Sequence, residues 1–137
     1  MILIVCLDDK NGMMFNKRRQ SKDVAVREDI AAMVGLGTLW MNEYSAKQFA
    51  EETAADMNIS VNESFLDKAG PGEYCFLEGP GASAAEQKIE KIIVYKWNRL
   101  YPADVRFDIL LDNWKLDNAS EFTGNSHEKI TKEVYIK

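Results

Sequence analysis

The sequence has 137 residues, of which 46% are hydrophobic and 28% charged, and its formal net charge is −5. This composition is typical of one globular domain, which excludes a disordered or fibrous chain and argues against general binding to a phosphate backbone. No apolar stretch reaches the ~20 residues of a membrane span, and Asp8 and Asp9 interrupt the first apolar run too early for a signal peptide, so we expect a cytoplasmic protein that does not enter a membrane.

The first half of the sequence predicts strands that alternate with helices. The apolar run 2–7 ends in a turn and indicates a buried central strand. A helix is expected over about 23–34, with Ser21 or Asp23 as its N-cap and glycines at its end. A short strand at 38–41 then leads into a helix that opens on a capping-box pattern at Ser45 and reaches about residue 53.

The second half predicts a short strand at 59–61, one or two helical turns over 64–69 and a strand at 74–77, which enters a glycine-rich turn. A second capping-box pattern starts a helix at Ser83. Strands follow at 92–95 and 105–107, and residues 114–122 and 129–136 are expected to form an antiparallel pair. Alternating strands and helices predict right-handed parallel crossovers, and therefore a mixed sheet with helices on both faces in one domain, 1–137.

Several segments, taken in order along nearly the whole chain, resemble dihydrofolate reductase. Residues 2–12 are similar to the first strand of that family and its mobile loop, and 39–45 to its strand-to-helix turn of the form Met-Gly-Arg-x-Thr. Residues 76–81 occupy the place of its glycine-rich cofactor turn. Residues 92–107 align, almost without gaps, with a family segment that contains Leu-Thr, then Gly-Asp and then Phe. Residues 121–127 are similar to its C-terminal hairpin.

This resemblance implies a dihydrofolate-reductase-like α/β fold, which is a mixed, mainly parallel twisted sheet with helices on both faces and a C-terminal antiparallel hairpin. The sequence also resembles a group of small bacterial proteins without an established activity.

The resemblance implies a catalytic carboxylate at the start of the first long helix. Asp29 lies at that place, with Glu28 as the adjacent alternative, and Ile30 and Met33 match residues that line the folate pocket. A carboxylate in an apolar cleft has a raised pKa and can transfer protons near neutral pH. The alternative is that both carboxylates belong to a solvated helix face. Tyr95 replaces the threonine that supports the carboxylate in the family.

A cofactor site for NADPH or NADH is implied at the glycine-rich turn, because a strand that ends in such a turn can bind phosphate through backbone N–H groups. Pro80 removes one donor, the peptide bond before it is open to the cis form, and an ordinary turn is the alternative. Glu43 replaces the arginine that holds the 2′-phosphate in the family, so binding of NADPH in the usual mode is disfavoured. Ser45 is either a cofactor contact or only a helix cap. The expected cofactor-binding residues are Asn42, Ser45, Gly79, Gly81, Ala82 and Ser83.

Residues 17–19 form a cationic cluster at the mouth of the expected cleft, which Lys22 and Arg27 extend. We expect Lys17, Arg18 and Arg19 to attract an anionic ligand such as a nucleotide. The alternative is a solvated loop.

The sequence assigns no catalytic or metal-binding role to the histidine or the cysteines. The single histidine, His127, is expected to be exposed on the hairpin, and one histidine excludes a histidine-rich zinc site, so no metal is expected. Cys6 and Cys75 are expected to be buried free thiols.

The sequence therefore predicts a dihydrofolate-reductase-like domain that binds an anionic small molecule or nucleotide between the basic loop, Asp29 and the Gly79 to Gly81 turn. Replacement of several family residues predicts that it is not a standard folate reductase. If the domain is an enzyme, an NAD(P)H-dependent reductase is the first expectation, with Asp29 handling the proton. The alternative is a non-catalytic module that binds a protein partner through the basic loop or a sheet edge. The sequence leaves the oligomeric state open.

Overall fold

The computed structural model describes residues 1–50 and 57–137. Over these residues the chain forms two sheets, three α-helices and two 3₁₀ helices. The strands are β1 (Ile2–Leu7), β2 (Gly12–Phe15), β3 (Arg18–Arg19), β4 (Thr38–Met41), β5 (Asn58–Val61), β6 (Tyr74–Phe76), β7 (Lys91–Lys96), β8 (Val105–Arg106), β9 (Lys115–Phe122) and β10 (Ile130–Ile136). The helices are α1 (Val24–Val34), α2 (Glu43–Phe49) and α3 (Phe65–Lys68), with 3₁₀ helices at Ser83–Lys88 and Leu111–Asn113.

The main sheet has the strand order β5-β4-β6-β1-β7-β10-β9. Strand β1 runs parallel to β6 and β7, and β4 runs parallel to β5 and β6. Strand β10 is antiparallel to β7 and to β9. The predicted mixed, mainly parallel sheet with a C-terminal antiparallel hairpin is therefore confirmed, and β1 lies in its middle.

Residues of β1 alternate between two cores, one on each face of the main sheet. Leu3, Val5 and Leu7 pack into a core that includes Phe65 of α3. On the opposite face, Ile4 packs into a core with residues of α1 and α2. Because both faces are covered by helices, the strand is apolar throughout, as its sequence predicts.

The first two helices differ in how well their starts were predicted. Helix α1 begins after Asp23, whose side chain caps it by accepting from the N–H of Ala25. Helix α2 begins two residues before the predicted capping box, because Asn42 is the cap and its side chain accepts from the N–H of Ser45. Ser45 therefore lies inside the first turn. The predicted continuation of this helix to residue 53 lies partly outside the described residues.

Two segments differ from the sequence-based expectation. The basic segment, expected in a loop, forms the β2–β3 hairpin, whose connecting residues Asn16 and Lys17 both have positive φ. Such a pair matches the two-residue turn that suits the twist of a hairpin. The helix at Ser83 is a 3₁₀ helix, and the Ser83 side chain donates to Asp108 instead of capping it.

The described residues contain no cis peptide bond, so the bond between Gly79 and Pro80 is trans. In the same part of the chain, no helix has the length and apolar character that crossing a bilayer requires.

Candidate functional site

A cavity of about 390 Å³ opens at the carboxyl ends of β4 and β6. Asn42 follows β4, and the glycine-rich turn that holds Gly79 and Gly81 follows β6. Helix α3 and the 3₁₀ helix at Ser83–Lys88 close the cavity on the other sides. The lining comprises Asn42, Glu63, Ser64, Phe65, Leu66, Asp67, Leu77, Gly79, Pro80, Gly81, Ala84 and Ala85.

The turn after β6 presents unpaired backbone donors at this cavity. Within the described residues, the N–H groups of Gly79 and Gly81, which line the cavity, have no hydrogen-bond acceptor; the N–H of Ala82 has none either, but Ala82 is buried outside the lining. Gly81 has a φ of 107°, a conformation that glycine adopts without strain and other residues avoid. Successive free N–H groups in a turn attract an anion. The turn is therefore suited to a phosphate or carboxylate group of a ligand.

Part of the lining of the cavity is acidic. The charged residues in its described lining are Glu63 and Asp67. Glu63 accepts a hydrogen bond from the N–H of Glu43, with 3.0 Å between nitrogen and Oε2, at the start of α2. A ligand that carries only negative charge is repelled by these carboxylates, whereas a ligand with hydroxyl or amino donors at its other end finds acceptors there.

Glu78, directly before the glycine-rich turn, is the centre of a polar network that the sequence did not reveal. Its carboxylate, with 9% of the side chain exposed, accepts from Arg19 at 2.8 Å (Nε) and 3.1 Å (Nη2). It also accepts from the Ser45 hydroxyl at 2.7 Å and from Gln48 Nε2 at 3.1 Å. Arg19 lies over the ring of Tyr44, 4.3 Å from its centroid. Arg19 and Ser45, both expected to contact a ligand, thus bind Glu78.

The same network joins the three segments that the sequence placed around one hollow. Arg27 of α1 donates to Gln48 Oε1, and Gln48 in turn donates to Glu78. Arg19 brings the basic hairpin to the same carboxylate. The hairpin, α1 and the turn after β6 therefore meet, while Lys17 and Arg18 are exposed at the hairpin tip.

Asp29 has two partners on other elements and does not line the cavity. Its Oδ2 accepts from the Tyr95 hydroxyl at 2.5 Å and pairs with Lys132 Nζ at 2.8 Å. Burial, and then the hydrogen bond to Asp29, raises the pKa of Tyr95 well above its usual value, so the phenol stays protonated and donates. Tyr95 therefore holds this carboxylate through a hydrogen bond.

The neighbours of Asp29 on α1 lie inward. Ile30 is fully buried in the core beneath α1, and Met33 packs against that core and is partly exposed. Both are therefore packing residues of the described structure. Ala82 is likewise buried, in the core on the opposite face of the sheet.

The expectation that His127 is exposed was wrong, because only 5% of this residue is accessible. Its Nδ1 lies 2.8 Å from Asp23 Oδ2, and its ring stacks on Trp97 with 4.6 Å between centroids. The two partners are 104 residues apart in the sequence, so no local pattern signals the pair.

Asp23 is ionised over a wide pH range. Burial by itself raises the pKa of this carboxyl, but hydrogen bonds from His127 and from the N–H groups of Asn125, Ser126 and Ala25 outweigh that effect and hold the pKa at about 2. The carboxylate is thus a fixed negative charge that ties the turn before β10 to the start of α1.

A scan of protein-family models matched no family, and a search of curated proteins found no similar sequence. Among the residues that the structure describes, no three His, Cys, Asp or Glu side chains are grouped as ligands for a metal ion.

Proposed function

We propose that this chain is a dihydrofolate-reductase-like domain that binds a nucleotide in the cavity at the carboxyl ends of β4 and β6. The central position of β1, the helices on both faces and the C-terminal hairpin agree with what the resemblance implies. In open α/β sheets, ligands bind in the crevice outside the carboxyl ends of the strands. The observation that carries the proposal is a cavity at this edge whose described lining combines the free N–H groups of Gly79 and Gly81 with the carboxylates of Glu63 and Asp67.

The lining favours a ligand that carries a phosphate at one end and hydroxyl or amino groups at the other. The N–H groups of Gly79 and Gly81 in the turn are donors for a phosphate. Glu63 and Asp67 are acceptors for ribose hydroxyls or for amino groups of a base, as an acidic residue is in dinucleotide sites. Glu43 is exposed beside Glu63 and adds negative charge at this end. We therefore expect NADH or a simple nucleotide to bind more tightly than NADPH, whose 2′-phosphate meets these carboxylates.

The contacts of Asp29 and Ser45 support a function other than folate reduction. The ion pair with Lys132 and the hydrogen bond from Tyr95 occupy one oxygen of Asp29, and Ser45 is committed to Glu78. Asp29 also lies outside the described lining of the cavity, so we propose no proton transfer from it to the bound nucleotide.

A thermal-shift titration with NADH, NADPH, ATP, GTP and folate tests the proposal. Binding to the folded state raises the melting temperature in a saturable way. Ala84→Trp fills the cavity from an exposed position of the 3₁₀ helix, so it should abolish the shift. Gln87→Trp adds the same ring to that helix outside this cavity and should leave the shift unchanged. A ligand that stabilises the Ala84→Trp variant as strongly as the wild type would show that it binds elsewhere.

One observation favours a second candidate, a non-catalytic module that binds a protein partner. Strand β9 lies at an edge of the main sheet, and every residue of it except Phe122 is exposed. Such an edge can pair with an extended segment of another chain. If none of the five ligands shifts the melting temperature, this second function is favoured over nucleotide binding.

A further inference from the structure

Three side chains lie in a row between the start of α1 and the turn before β10. Asp23 Oδ2 is 2.8 Å from His127 Nδ1, and His127 Nε2 is 2.9 Å from the Ser21 hydroxyl. The side chains of Asp23 and His127 are 0% and 3% exposed, whereas Ser21 is partly exposed. The serine is thus the member of the row that solvent reaches most easily.

The hydrogen bonds around Asp23 determine which nitrogen of the imidazole carries the proton. Asp23 accepts from the N–H groups of Ala25, Asn125 and Ser126 and is an ionised acceptor. In the tautomer of His127 that donates from Nδ1 to Asp23, the lone pair of Nε2 is left for a hydroxyl hydrogen, and Ser21 Oγ, at 2.9 Å, is closer to it than the Tyr101 hydroxyl, at 3.3 Å. Stacking on Trp97, at an interplanar angle of 22°, fixes the plane of the ring. This is the order of acceptor, relay and nucleophile that serine hydrolases use.

From this juxtaposition we propose that Ser21, His127 and Asp23 form a nucleophilic triad that cleaves small carboxylic esters. The site is separate from the nucleotide cavity, whose described lining includes none of the three residues. Because Ser21 is only partly exposed, the expected substrates have a small acyl group. The Tyr101 hydroxyl lies 3.3 Å from the same His127 Nε2 and is the side-chain donor that we assign to the oxyanion that forms beside Ser21.

The reaction balances with water as the second substrate. Ser21 Oγ attacks the ester carbonyl carbon and forms a C–O bond while its proton passes to His127 Nε2. The tetrahedral intermediate then expels the alkoxide, which takes that proton and leaves as the alcohol. Water attacks the acyl-serine with His127 as base, the acid leaves, and the proton returns to Ser21. Asp23 stays ionised throughout and stabilises the imidazolium.

A structural role alone does not require an activated serine. The N–H groups of Asn125 and Ser126 already join the hairpin turn to Asp23. A fluorophosphonate distinguishes the two roles, because it forms a P–O bond with an activated serine and releases fluoride, whereas an ordinary hydroxyl does not react.

The test treats the full chain with a fluorophosphonate, locates the adduct by peptide mass spectrometry and measures hydrolysis of p-nitrophenyl acetate. We expect one adduct, on Ser21, and a rate that Ser21→Ala lowers by about 100-fold or more. Ser120→Ala, which removes an exposed hydroxyl from β9, should keep both the adduct on Ser21 and the wild-type rate of hydrolysis. No adduct on the wild type, an adduct on another residue, or an unchanged rate in Ser21→Ala would overturn the proposal. The position of the adduct on the wild-type chain tests the proposal even if a variant fails to fold.

Discussion

The largely buried carboxylate of Glu78 occupies the hydrogen-bond donors of several neighbouring side chains. It is bound by side chains from β3 and from α2, and it directly precedes the turn that lines the cavity. An arginine and a serine in an open cleft would be free for a ligand, but Glu78 occupies both. The turn after β6 therefore has a rigid support, and the ligand contacts that we propose fall to its backbone.

Replacing Glu78 with Gln should destabilise the fold by about 2 to 3 kcal/mol, because the charged partner of Arg19 is lost and buried donors are left poorly paired. Glu121→Gln is the matched control. It breaks the pair with Lys129, in which both side chains are more than half exposed, and should cost at most ~0.5 kcal/mol. Urea unfolding measures both, and equal effects would contradict the role of Glu78.

The depressed pKa of Asp23 predicts a loss of stability in acid. Its pKa is about 2 in the folded chain and near 3.8 when unperturbed, so its contribution is fully present above pH 4 and is lost as the pH falls towards 2. The free energy of unfolding should fall by about 2 kcal/mol from this group over that interval. Asp23→Asn should remove this part of the fall in stability at acid pH. Urea midpoints at successive pH values measure it, and a fall of unchanged slope in the variant would refute it.

Whether a residue of the site could be predicted from the sequence depends on whether its partners are close to it along the chain. The resemblance placed Asn42, Gly79 and Gly81 together, and the structure brings them to one cavity because each follows a strand whose carboxyl end lies at the same edge. Arg19, Ser45 and His127 could not be assigned from sequence. Their partners are tens of residues away, and only the folded chain brings Glu78 and Asp23 to them.

At the scale of elements, the turn that leads into β10 depends on close packing at one glycine. A Cβ added at Gly124 would lie 2.6 Å from Asp23 Oδ2 and 2.8 Å from the carbonyl oxygen of His127. Gly124→Ala should therefore cost about 1 to 3 kcal/mol, since either the hairpin or the start of α1 must shift.

Gly70→Ala provides the control for this substitution. Its added Cβ comes no closer than 3.5 Å to the described neighbours and should have a much smaller effect. Thermal unfolding compares the two variants. A melting temperature for Gly124→Ala at or above that of Gly70→Ala would show that this contact is not tight.

The elements that the sequence predicted best are those whose burial follows a simple pattern. β1 is apolar at every position because both its faces are covered, and the β9–β10 pair is separated by an evident turn. The β2–β3 hairpin was missed because Asn16 and Lys17, which form its turn, lie in a basic segment that is also typical of a solvated loop. The start of α2 was misplaced because Asn42 and Ser45 are both residues that cap helices.

At the scale of the whole molecule, the cavity and the hydrogen-bond networks of Asp8 and Glu78 lie at the carboxyl edge of the main sheet. β1 and β6 bring the Asp8 and Glu78 carboxylates to that edge, where the former holds the turn before β2 and the latter holds Arg19. The sheet and its helices could be predicted from the sequence, because periodicity and burial are properties of single segments. The acidic part of the cavity could not, since the sequence predicts helical turns over 64–69 but nothing in it indicates that Glu63 and Asp67 line a cavity.

The most direct test of the proposed site follows backbone amide signals by ¹⁵N–¹H NMR while NADH or ADP is added. The account predicts saturable shifts of the Gly79 and Gly81 amides, with weaker changes at Glu63 and Asp67, all described by one dissociation constant. Shifts confined to Lys17 and Arg18 at the hairpin tip, or no shift at saturating ligand, would contradict it.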